Sequence, residues 1–165
     1  MATMIFHSCH NSVSKKESSA NLDIPEFIKK ESEKLKLENP LITKTVRNGE
    51  SSETKELKIA NWNKELAHFN AVDLNKSSST GFEKVTKQDT IIYSTPSSAS
   101  ANKTIVKVVY ADNHPIFLQI EKQTENLLFK NKEKLTYSLG KFYAIEKKQS
   151  VKGLGTKTYS ILGKF

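Results

Sequence analysis

The chain has 165 residues, 36% of them hydrophobic and 27% charged, with a formal charge of +8 and one cysteine, Cys9. That length suits one domain with a tail, and the apolar content is enough for one core. No run approaches the ~18 consecutive apolar residues of a membrane-spanning helix, and a single cysteine excludes an internal disulfide framework.

The chain starts MATMIFHSCHNSV. His7 and His10 flank Cys9, but a closed zinc site needs four ligands in fixed geometry, and His68 and His114 stand alone in the sequence. No metal ligands are assigned. Phe6-His7-Ser8-Cys9 resembles the end of a bacterial lipoprotein signal: a bulky apolar residue at −3, a small one at −1, then the cysteine that takes diacylglycerol. Cys9 is therefore the expected lipidation site. A secretory signal also needs a basic start and ~7–15 apolar residues, more than residues 1–8 offer, so this reading expects a truncated signal. The polar stretch HNSVSKKESSAN has no apolar periodicity and reads as a flexible tether. Residues 1–22 are thus expected to form an anchor region and tether, and 23–165 a single globular domain.

DIPEFIKKESEKLKLENP predicts a helix capped by Asp23, with Pro25 in the first turn and Glu26 placed to complete a capping box. Ile24, Phe27, Ile28 and Leu35 form its apolar stripe, Glu26 and Lys30 pair at helical spacing, and Pro40 ends it. Asn48-Gly49 then predicts a hairpin turn in which both residues take positive φ. A second helix is expected in NWNKELAHFNAV, capped by Asn61, with Trp62, Leu66 and Phe69 on one buried face and His68 off it.

From residue 82 the pattern changes to strands. FEKVTK, TIIYST, TIVKVVYA, IFLQIEK, KLTYSLG, FYAIEKK and TYSIL are β-branched or aromatic runs between turn-forming clusters. Their short spacing predicts antiparallel pairing, since parallel crossovers need a dozen or more residues. Asp112-Asn113-His114-Pro115 reads as one connection, and 94–102 as a polar loop at a hairpin tip. YSLGKF (137–142) recurs as YSILGKF (159–165), read as two strands ending alike with glycine supplying a turn or bulge.

Residues 126–165 carry nine lysines against Glu133 and Glu146, nearly the whole excess charge. Such an end attracts anionic surfaces. Nucleic-acid binders usually interleave arginine and exposed aromatics, whereas Arg47 is the single arginine, which argues against nucleic acid as a partner. KGLGTKT (152–158) lacks the G-x-x-x-x-G-K-[ST] spacing of a phosphate loop. No nucleophile elbow, zinc-protease motif or paired cysteines occur. No catalytic residue and no cofactor are assigned.

The lipobox-like cysteine, the capped charged helix, NWNKELAHFNAVDLNK and ENLLFKNKEKLTYSLGKFYAIEKKQ together resemble small envelope lipoproteins of Bacteroidetes. The resemblance implies an envelope location and brings no catalytic residues. The expected fold is α+β, two N-terminal helices packed on a curved antiparallel β-meander. The expected function is a non-catalytic binding module for a protein partner or an apolar ligand, held to a membrane surface by its N-terminal anchor, facing periplasm or cell surface. The alternatives are an intracellular basic nucleic-acid binder and an enzyme with a dispersed active site.

Overall fold

The structure is a computed structural model that describes residues 21–76, 81–96 and 101–165. Helix α1 (Ile24–Glu38) starts where Asp23 Oδ1 accepts the Glu26 N–H at 2.9 Å. It ends where Asn39, at φ 45°, donates its N–H to the Leu35 carbonyl. The expected capping box is half formed. The Glu26 carboxylate turns outward to Lys30 at 3.6 Å and Lys29 at 4.0 Å, exposed pairs that stabilise weakly. Ile24, Ile28, Ser32 and Leu35 make the buried face.

Among the described residues nine strands follow in one antiparallel sheet: β1 (Leu41–Asn48), β2 (Ser51–Lys58), β3 (Glu83–Lys87), β4 (Thr90–Ser94), β5 (Asn102–Ala111), β6 (His114–Glu125), β7 (Phe129–Ser138), β8 (Phe142–Val151) and β9 (Gly155–Lys164). Strands β3 to β9 pair with their chain neighbours as a meander, as the short loops require, and the β1–β2 hairpin adds to the far side of β9. The α+β class with an antiparallel meander is therefore observed. The helices do not form a block ahead of the sheet, because β1 and β2 come between α1 and the short helix α2 (Trp62–Glu65). The edge strands β2 and β3 are exposed and charged, which discourages further strand addition.

The predicted second helix is shorter than its sequence pattern. Asn61 Oδ1 caps it by accepting the Lys64 N–H at 3.0 Å, but α2 lasts one turn and gives way at Leu66 to a 3-10 segment, Ala67–Ala71. Burial of Trp62, Leu66 and Phe69 outweighs ideal helix geometry there.

Turn chemistry departs from expectation at two places. Asn48 pairs with Ser51, so the β1–β2 loop is Gly49-Glu50, and Gly49 alone takes positive φ (60°). That is the pattern with glycine first rather than Asn-Gly in the middle. In the β5–β6 connection only Asp112 (φ 49°) and Asn113 (φ 62°) turn, while His114 and Pro115 already belong to β6.

Strand alternation gives the sheet two distinct faces. Val106 and Val108, Leu118 and Ile120, Leu135 and Tyr137, Tyr143 and Ile145 all point to the face covered by α1, α2 and the 3-10 segment, where they are fully or almost fully buried. Each such side chain contributes about 1.5–3 kcal/mol by leaving water. Two tyrosine hydroxyls pin the helices. Tyr137 donates to Glu31 Oε2 of α1 at 2.8 Å, and Tyr143 donates to Glu65 Oε1 of α2 at 2.6 Å. Lys44 of β1 completes the second anchor, 2.7 Å from the same Glu65 oxygen. Burial, reinforced by the neighbouring carboxylates, pushes both phenols well above their ordinary range.

The repeated YSLGKF and YSILGKF segments serve different ends. Gly140 supplies a turn at φ 64°. Gly163 is a buried strand residue that makes room for the Tyr143 ring, rather than a turn or bulge.

Candidate functional site

The sheet face opposite α1 and α2 carries the most distinctive electrostatic arrangement of the described residues. Cross-strand register lines up Ile105, Glu121, Lys134, Glu146, Ser160 and Arg47 across six strands. In that row acids alternate with bases, as favourable cross-strand pairing predicts. Two residues further along the strands the next row reads Lys103, Gln123, Lys132, Lys148, Thr158. It holds three lysines and no acid.

Lys132 of β7 stands directly opposite Lys148 of β8. Like charges in that position destabilise a sheet. The following row returns to neutrality, with Lys130 bonded to Glu125 at 2.7 Å and Ser150 to Thr156 at 2.8 Å. The Lys130 ammonium holds the Glu125 carboxyl below its usual range, as a hydrogen-bonded cation does. Among the described residues, no carboxylate forms an ion pair with Lys103, Lys132 or Lys148.

These rows floor a depression of about 640 Å³ that runs across β5 to β9 and reaches Arg47 of β1 and Gly49 of the β1–β2 turn. With strands ~4.8 Å apart, Lys103 to Thr158 spans about 19 Å. Ile105 is the aliphatic residue of the lining, which is otherwise dominated by polar and charged residues. Glu133 and Lys147 border it as well, but their charged ends meet each other at 3.0 Å on the helix side. There His68 of the 3-10 segment lies 3.2 Å from Lys147 Nζ and 3.9 Å from Glu133 Oε1.

Cys9, with His7 and His10, lies outside the described residues. His114 is exposed at the start of β6. Trp62 is core, packed edge-on against Tyr143 with centroids 6.1 Å apart. Asp23 caps α1, Asp73 Oδ1 accepts the Asn75 N–H, and Asp89 and Asp112 sit in turns. KGLGTKT forms the β8–β9 hairpin. Among the described residues, no three of His, Cys, Asp and Glu gather as a metal site would need, and no helix is long and apolar enough to cross a membrane.

The lysine row escaped sequence reasoning. Lys130, Lys132 and Lys134 at alternate positions already declare one strand face. Opposing Lys132 to Lys148, sixteen residues on, requires the register of the β7–β8 hairpin. No protein-family model, curated protein or solved structure matches the chain.

Proposed function

We propose that this protein is a non-catalytic binding module that receives an acidic partner, a chain of carboxylates, along the lysine row on the sheet face opposite its helices. The single observation that supports this is Lys132 facing Lys148 in a row without an acid. A sheet selected for stability alone would oppose them with glutamate, as the row beside it does. An extended acidic segment laid across the strands matches the row's length and relieves its repulsion. The unbalanced positive charge of the row favours an acidic occupant over the apolar ligand that the sequence also allowed. On the same reading the module works at a bacterial envelope membrane, tethered through Cys9; the Phe6-His7-Ser8-Cys9 pattern supports that location.

Binding of poly-L-glutamate and of double-stranded DNA, measured over a range of salt concentrations, tests the reading. Lys132→Glu and Lys148→Glu are each expected to weaken poly-L-glutamate binding about tenfold or more, because like-charge juxtaposition costs several kcal/mol. Each is also expected to raise the folding stability by about 0.2–1 kcal/mol through the new cross-strand pair. Lys29→Glu, on the outer side of α1, serves as the control. Equal losses in control and row variants mean unspecific charge attraction and contradict the proposal. Tighter, row-dependent retention of DNA favours the nucleic-acid alternative. Labelled palmitate incorporated into the protein from its natural gene, and lost in Cys9→Ala, tests the anchor; an unlabelled parent removes it.

A further inference from the structure

Two adjacent turns at one end of the sheet display leucines to solvent. Leu127 is 94% exposed and Leu128 69% in the β6–β7 turn, and Leu154 is 83% exposed in the β8–β9 turn. The Lys152 N–H donates to the Leu128 carbonyl at 2.9 Å and ties the two turns side by side.

The turns do not need these leucines for their own geometry. Asn126 Oδ1 accepts the N–H groups of both Leu128 and Phe129 at 2.9 Å, closing the first turn from its own side chain. Gly153 (φ 81°) and Gly155 (φ 87°) take the left-handed positions of the second. Turn tips ordinarily carry polar residues, so three leucines there cost solubility without contributing to the fold. Lys152 lies in the β8–β9 turn itself and Lys157 early in β9; both are exposed, and among the described residues neither forms an ion pair.

We propose that these two turns dock the protein on an anionic lipid bilayer, with Leu127, Leu128 and Leu154 entering the acyl boundary and Lys152 and Lys157 meeting headgroup phosphates. Apolar tips with flanking lysines match the two layers of a bilayer interface, hydrocarbon below and anionic groups above. Protruding turns fit a deformable lipid surface, whereas a rigid protein partner must offer a complementary hollow. The proposal stands apart from the acidic-partner reading, which uses a different row of residues, and from acylation of Cys9.

The test uses the full chain carrying Cys9→Ser, so that no acyl chain contributes. Co-sedimentation is measured with vesicles of phosphatidylglycerol and phosphatidylcholine in equal parts and with pure phosphatidylcholine. Binding to the anionic vesicles is expected. It should drop roughly tenfold or more in the Leu127→Ser, Leu128→Ser, Leu154→Ser triple variant, because the buried methylenes supply the anchoring. The triple variant keeps its circular dichroism, its melting temperature and its poly-L-glutamate binding, and Leu128→Trp shows a blue-shifted emission on anionic vesicles. Inorganic phosphate at the headgroup concentration leaves vesicle binding in place. The proposal is overturned if the triple variant binds like the parent, or if the parent binds neither vesicle. Abolition of binding by free phosphate overturns it as well, as does leucine-dependent dimerisation without vesicles.

Discussion

Gly163 lies directly beneath the ring of Tyr143, so close that a Cβ at 163 would overlap the ring atoms. The two residues pair across β8 and β9 on the helix-covered face. Tyr143 occupies the space a side chain at 163 would need, and this lets its hydroxyl reach Glu65 of α2. Gly163→Ala is expected to cost about 1–3 kcal/mol by overpacking. Combined with Tyr143→Val, which vacates the ring, the loss should be markedly less than the sum of the two single losses. Urea unfolding of the four proteins measures this, and strict additivity would show that the ring does not depend on the glycine.

The tyrosine anchors make the fold sensitive to alkali. Burial and the facing carboxylates hold Tyr137 and Tyr143 protonated far above the ordinary value of 10.0. Below pH ~10 both states keep these protons and the stabilisation is complete. Above it the unfolded chain releases protons that the folded chain retains, so stability falls by up to about 1.4 kcal/mol per pH unit for each tyrosine. Tyr143→Phe should therefore cost about 1–2 kcal/mol at pH 8, where Glu65 loses a donor, and progressively less as pH rises above 10. Thermal melts from pH 8 to 11 read the difference. A penalty that stays constant with pH contradicts the anchor's protonation state.

Ser32 is buried at 2% exposure on the inner face of α1, and its hydroxyl has no hydrogen-bond partner among the described residues. Ser32→Ala removes an unsatisfied group and improves helix propensity, and should stabilise by about 0.5–1.5 kcal/mol. A loss in chemical denaturation would reveal a partner for the hydroxyl.

Much of this architecture was legible because local chemistry and tertiary packing agree. Asp23, Pro25 and Pro40 delimit α1 without help from the core, and alternation in Leu118 to Ile120 or Val106 to Val108 identifies strands and their buried faces. Adjacent order in the meander follows from loop length. The placement of β1 and β2 beside β9 does not, since it depends on contacts between residues more than a hundred positions apart. Gly163 illustrates the same limit: its sequence copy Gly140 is a turn residue, and only the Tyr143 ring distinguishes the two. The lysine row belongs to this second class. Composition reveals a basic C-terminal stretch, while the neutral row on one side and the unbalanced row on the other exist only once the register is set.

On the proposed function, the row Lys103, Gln123, Lys132, Lys148 and Thr158 is a binding surface rather than solvated charge. An amide-resolved NMR titration of the protein with poly-L-glutamate separates the two. Chemical-shift changes should concentrate at these five residues and at Ile105, Lys134 and Arg47 beside them, and should leave Lys29 and Lys36 of α1 and Lys58 of β2 unaffected. Shifts spread evenly over all exposed lysines, or centred on the helix-covered side, would contradict the account.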